Sequence, residues 1–169
     1  MKKQIRGFTL IELLVVIAII GLLSSVVLAS LGQARVSARD AKREQGLIQL
    51  RNALEIYRTA NGAYPPSCNG HAAWGGDNWG SPTCPTNYIV GLAPTYIGAL
   101  PQRAGTSDTY IYRTDASGAN YKLLMSGIEV YNSADSLADP GTGGTPPNCT
   151  NVPGRSNAYA VHTAGGKCF

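Results

Sequence analysis

An apolar run from Phe8 to Leu31 constrains this chain more than any other stretch. As a helix it would extend about 36 Å at roughly 1.5 Å per residue, enough to cross a hydrocarbon core of about 30 Å with some tilt. Its only ionisable side chain is Glu12, and a carboxylate at such depth costs roughly 2.5 kcal/mol or more. Ahead of the run lies a short leader with the charges Lys2, Lys3 and Arg6, ending in Gly7. An ordinary secretory signal has a shorter apolar core and a small-residue cleavage site, and no use for a glutamate. A plain membrane anchor explains the length but leaves Glu12 without a partner.

Gly7-Phe8-Thr9-Leu10-Ile11-Glu12, between a basic leader and an apolar helix, resembles the processing site of type IV pilins and of the pseudopilins of type II secretion. The resemblance implies that a prepilin peptidase cuts after Gly7 at the cytoplasmic face. Phe8 then becomes the N-methylated mature N-terminus, and Glu12 is the carboxylate that docks one subunit into a fibre. It also implies a precursor held in the inner membrane with its C-terminal domain outside, an inner-membrane assembly platform, and other pilin-like subunits as partners. Many type IV pilins kink the spanning helix at a proline; Ala29 stands at that position here.

The helix is expected to continue past the apolar run. Residues 33–44 are polar but rich in helix formers, and no proline occurs before Pro65. Asp40 and Arg43, and Glu55 and Arg58, are opposite charges at i,i+3, and Arg51 and Glu55 at i,i+4. Leu47, Leu50, Leu54 and Tyr57 form one apolar stripe. One helix from about Phe8 to about Ala60 is therefore expected, stopped by Asn61-Gly62. Gly32 and Gly46 read as glycines tolerated within it; Gly21 reads equally as a place where the helix could stretch in assembly. The helix end, Ala53-Leu54-Glu55 to Asn61-Gly62-Ala63-Tyr64-Pro65, and the later segment from Leu92 to Pro101 are again similar to major pseudopilins. The likeness covers roughly residues 1–131 and fades beyond; Gln102-Arg103 replaces the family's usual Asp-Pro.

The expected fold is α+β and pilin-like: the long helix packed on a small antiparallel sheet. The expected divisions are a leader 1–7, an anchoring half-helix 8–31, an amphipathic half-helix 32–61 and an extracytoplasmic domain 62–169. Within that domain, 62–108 reads as loop, 109–131 as sheet and 132–169 as a cysteine-containing tail. The strand candidates are Thr109–Thr114, Asn120–Ser126 with Ile128–Tyr131 extending it or beginning another, and Ala158–His162.

Cys68, Cys84, Cys149 and Cys168 all lie in the translocated part, where an even count suggests disulfides. The pairs Cys68–Cys84 and Cys149–Cys168 are expected because each closes a short loop, stabilising by about 2–4 kcal/mol. A zinc site lacks support, since no C-x-x-C occurs and His71 and His162 make no ligand motif. Free buried thiols are the other alternative.

Formal net charge is +4, but without the three leader charges it falls to +1, so the balance says little about nucleic acid. Arg35, Arg39 and Arg43 share a helix face, yet no aromatic lies between Phe8 and Tyr57 to stack bases, so nucleic acid is not an expected partner. Trp74 and Trp79, set among glycines, would either form a glycan-binding surface or pack over a Cys68–Cys84 bridge; the second is preferred. Asp135 and Asp139, with Ser133 and Ser136, lie in a loop where pseudopilins can bind calcium, but they are few for an ion wanting 6–8 oxygens. The glycosylation pattern at Asn148 is weak because its Cys149 is expected to be bridged. No nucleophile motif or phosphate loop occurs, and no metal or cofactor is expected.

The function expected is therefore that of a structural subunit polymerised into a type IV pilus-like fibre. The second reading is a pseudopilin of a type II secretion or DNA-uptake machine. A membrane-anchored glycan-binding module is the third, from a different class, and an enzyme has no motif behind it.

Overall fold

The computed structural model describes residues 8–76, 84, 86–102, 109–140, 144–145, 148–149 and 157–169. Helix α1 spans Leu10–Asn61 without interruption. It starts where Thr9 and Glu12 form a reciprocal cap. The Thr9 Oγ1 accepts the Glu12 N–H at 3.3 Å, and Glu12 Oε2 accepts the Thr9 N–H at 2.8 Å. It stops at Gly62, whose φ of +80° suits a residue without Cβ, and whose N–H closes on the Arg58 carbonyl at 2.7 Å.

The chain divides into two compact units, Met1–Ala38 and Arg39–Phe169. The described part of the first is helix with its apolar side chains uncovered; Leu10 is 88% and Leu28 70% exposed. This is the part of α1 whose length and composition suit a membrane span.

In the second unit the rest of α1 lies on an antiparallel sheet. Its strands are β1 (Gly75–Gly76), β2 (Thr109–Thr114), β3 (Tyr121–Ser126) and β6 (Ala158–His162), in the order β1-β2-β3-β6. A separate two-stranded piece joins β4 (Gly144–Thr145) to β5 (Asn148–Cys149). Alternation along the strands sorts the side chains. Tyr110, Tyr112, Tyr121, Leu123, Met125, Tyr159 and Val161 meet the helix stripe of Leu47, Leu50 and Leu54 in one core. Burying each of those leucines stabilises by about 1.5–3 kcal/mol. Ile111, Leu124, Ala158 and Ala160 form a smaller cluster on the other face, with Trp74 against it.

Gly46 is not merely tolerated. A Cβ there would collide with the Tyr110 hydroxyl, so this glycine sets how closely β2 approaches the helix. The expected loop 62–108 contains a strand, β1, which pairs Gly75 with Tyr112 and Gly76 with Ile111. Cys68 and Cys84 are disulfide-bonded with their Cα atoms 5.4 Å apart. Gly75 leaves room for this bridge, since a Cβ would press on the Cys68 sulfur. Cys168 is buried, but the expected partner, Cys149, has a side chain outside the described residues.

The expectation that Ile128–Tyr131 would extend the sheet is corrected. Gly127 has φ +84° and turns the chain away after β3. The Glu129 and Val130 N–H groups then bond to the Asp40 carboxylate, at 3.1 Å and 2.8 Å, instead of to a strand. A side chain on the helix thus takes the donors a ladder would have used.

Candidate functional site

The expected processing residues, Gly7 with Lys2, Lys3 and Arg6, lie outside the described residues, and Phe8 is exposed ahead of the helix. Glu12 sits in the first turn of α1. Its Oε2 takes both the Thr9 N–H and the Thr9 hydroxyl, each at 2.8 Å. Two donors on one oxygen leave Oε1 with lone pairs for another donor. Among the described residues the carboxylate is therefore half-satisfied and still able to receive a cation. Thr9 was not singled out from the sequence, although a threonine three residues before a glutamate at a helix start is a capping-box pattern.

Around this group the surface is apolar. Ile11, Leu13, Leu14, Ile17 and Ile20 are all more than half exposed. A soluble helix would bury such a set; here none of the described residues covers it, which suits lipid or neighbouring helices.

A second charged constellation joins α1 to the segment after β3. Arg39 donates to both carboxylate oxygens of Glu129, at 2.7 Å and 2.6 Å. Arg43 donates to Asp40 at 2.6 Å and to Glu129 at 3.0 Å, and Asp40 and Arg43 are nearly enclosed. Two of the three arginines on the basic helix face are thus committed inside the fold, and Arg35 alone of them lies in the first unit. This use of Arg39 and Arg43 argues against a nucleic-acid surface.

The Arg39 and Arg43 bonds push the Glu129 carboxyl down to about 2 from its usual 4.5. The sign follows: a carboxylate held below its unfolded pKa stabilises fully above pH 4.5 and loses that contribution as pH falls toward about 2. Glu129 keeps a third of its side chain in solvent, so screening makes the gain modest. The acid limb of a thermal-stability profile should therefore contain a component between those two pH values that disappears in Glu129→Gln; an unchanged profile would refute the linkage.

The remaining candidates are placed differently from expectation. Asp139 does not face a cation-binding loop: its carboxylate holds the Lys122 ammonium at 2.7 Å, with both groups buried. Asp135 Oδ1 accepts the Leu137 N–H at 2.9 Å. These donors do not fit calcium, and the described residues contain no cluster of three metal-ligating side chains. Trp74 is half-buried against the sheet's outer cluster, and Trp79 lies outside the described residues. His71 Nδ1 meets the Thr114 hydroxyl at 3.0 Å, and burial lowers the pKa of His162. A groove of about 410 Å³ lined by Thr86, Asn87, Ala93, Pro94, Gly98, Ala99, Leu100 and Gln102 has no titratable side chain in its walls.

Residues 2–28 match the family model described as the prokaryotic N-terminal methylation motif. Three relatives are type II secretion system core protein G. The protein of Pectobacterium carotovorum subsp. carotovorum is 34% identical, over 83% of this chain and 80% of its own length. That of Klebsiella pneumoniae is 35% identical, over 75% and 79%. That of Escherichia coli (strain K12) is 34% identical, over 72% and 81%. No solved structure matches. With the long helix, the sheet it lies on and the Thr9–Glu12 start all in place, this chain belongs to the type II secretion core protein G family of pilin-like proteins.

Proposed function

We propose that this chain is a pseudopilin: a structural subunit cut after Gly7, methylated at Phe8 and polymerised through its apolar helix into a fibre that serves type II secretion. The observation that carries the reading is the half-satisfied Glu12 carboxylate among uncovered apolar side chains at the helix start. Such a segment is stored in lipid as a single helix and is stabilised further when neighbouring helices bundle around it. The relatives favour the secretion fibre over the type IV pilus-like fibre that the sequence alone put first. Its partners in this reading are copies of itself, other pilin-like subunits, a prepilin peptidase and an inner-membrane assembly platform. The precursor sits in the inner membrane with residues 62–169 outside. Cys149–Cys168 is proposed as a second bridge of that domain.

Trp74 gives the glycan-binding alternative little support, since much of its ring is spent on the sheet and on Arg113. The relatives are by name core proteins of a type II secretion system.

The mass of the mature chain tests the proposal. An N-terminus at methylated Phe8 is the expected result. A chain beginning after Ala29 or Leu31 would mean an ordinary signal sequence and would end the pseudopilin reading.

A further inference from the structure

One cation in the second unit has a built setting and, among the described residues, no anion. Arg113 lies on β2 and, by alternation with Tyr112 and Thr114, on the sheet face turned away from the helix. Its guanidinium carbon is 5.7 Å from the centre of the Trp74 ring and 5.2 Å from that of Phe169. Two aromatic faces orient the group and displace water from it, so its charge acts more strongly on what approaches its free edge. Among the described residues it has no acceptor, and its Nε is buried without a partner. Across the strands Arg113 stands opposite Lys122, and Lys122 opposite His162. Asp139 already neutralises Lys122. Among the described residues Arg113 is left as the uncompensated charge of the row, and like charges opposite one another are unfavourable until an anion joins them.

The complementary lack exists elsewhere in the same unit. Glu44, on the helix, is half-buried, and among the described residues no ion pair engages it or Asp135. Burial, then Asp135 and Asp40, hold its carboxyl above the usual range. Asp135 belongs to the turn that leads to Ala138, which bridges to Tyr159 on the β6 side of the sheet. Arg113 is beside β1, at the opposite side and on the opposite face. One copy cannot bring the two together. A second copy can, by a contact that joins unlike surfaces, and a contact of that kind propagates instead of closing.

We propose that in the fibre Arg113 of one copy receives the Glu44 carboxylate of a neighbouring copy, with Asp135 beside it. The contact rests on the fibre-subunit reading above and adds to it the charge pair that sets the stagger of the outer domains.

Full-length chains carrying Arg113→Glu, Glu44→Arg or both test it, by mature subunit in sheared fibres against the membrane pool. Each single change should lower fibre yield about tenfold, which corresponds to ~1.4 kcal/mol. The double change should restore most of it. Singles with undiminished yield, or a double no better than the poorer single, would overturn the contact alone. A wild-type chain that makes no fibres would overturn the fibre reading and the contact with it. Where a variant loses its membrane pool, a chain with Gln45→p-benzoylphenylalanine decides instead. Irradiated fibres should yield a cross-link to the Arg113 peptide of another copy, and cross-links confined to other peptides would refute the proposal.

Discussion

A chain carrying Glu12→Ala is expected to be inserted and cleaved after Gly7, and then to stay in the membrane. In the proposed processing, cleavage would create a positive amine on Phe8, close in sequence to the carboxylate. In a low-dielectric layer neither charge is stable bare, and removing one partner of a buried pair costs about 3–5 kcal/mol. Thr9 occupies one oxygen of Glu12, so a single helix in lipid is tolerable but incompletely satisfied. Under the proposed function, the amine of an adjoining subunit would supply what is missing and would fix the axial stagger while the helices bundle. At about 3 kcal/mol for each contact, the assembled fraction should fall by more than about a hundredfold. Glu12→Gln should be almost as harmful, because an amide can keep the Thr9 bonds but cannot attract an amine. The measurement is mature subunit in sheared fibres against the membrane pool. Wild-type yield from Glu12→Ala would show that the carboxylate does not direct assembly.

Asp139→Asn should be the most destabilising single polar change in the second unit. Lys122 is fully buried and its ammonium is 2.7 Å from the Asp139 carboxylate. With the carboxylate gone, an ammonium is enclosed without its counter-charge, at a cost of about 3–5 kcal/mol. For a domain of this size the melting temperature should drop on the order of 10–20 °C. The companion variant Lys122→Met with Asp139→Leu should melt within roughly 1–2 kcal/mol of the wild type, since an apolar pair avoids both desolvation costs. Calorimetry of the detergent-solubilised chain separates the cases. A mild Asp139→Asn, or a double variant as unstable as the single, would show that the ion pair is not what holds this segment to the sheet.

These two sites differ in how far the sequence discloses them. Glu12 stands alone in an apolar run, and the run, the capping residues and the glycine stop are local signals. The helix therefore ends at Asn61, within a residue of the expected end. The strands at 109–114, 121–126 and 158–162 were equally legible from their β-branched and aromatic content. Lys122 was not. A lysine within a strand reads as solvent-facing, and only the arrival of Asp139 turns that position into a buried one. Asp40 misled for a related reason. It reads as half of a helical i,i+3 pair, which it is, but its oxygens also accept N–H groups 89 and 90 residues away. No periodicity reports a partner at that distance. β1, two glycines long, carries no pattern at all; its place follows from the disulfide beneath it and from the edge of β2.

The Asp40 carboxylate has a mechanical meaning. Helix α1 is continuous, so tension applied toward its N-terminus travels down the backbone into the second unit. Arg39, Asp40 and Arg43 stand ahead of Leu47 and the core stripe, and among the described residues they are the first side chains there to grip anything beyond the helix. Their bonds to Glu129 and to the Glu129 and Val130 backbone tie this turn of the helix to the segment that leaves β3. The load then enters β3, the central strand bonded on both sides, and is shared between β2 and β6. A subunit drawn out of a membrane by its helix would thus take its globular domain along without peeling the helix from the leucines that hold it.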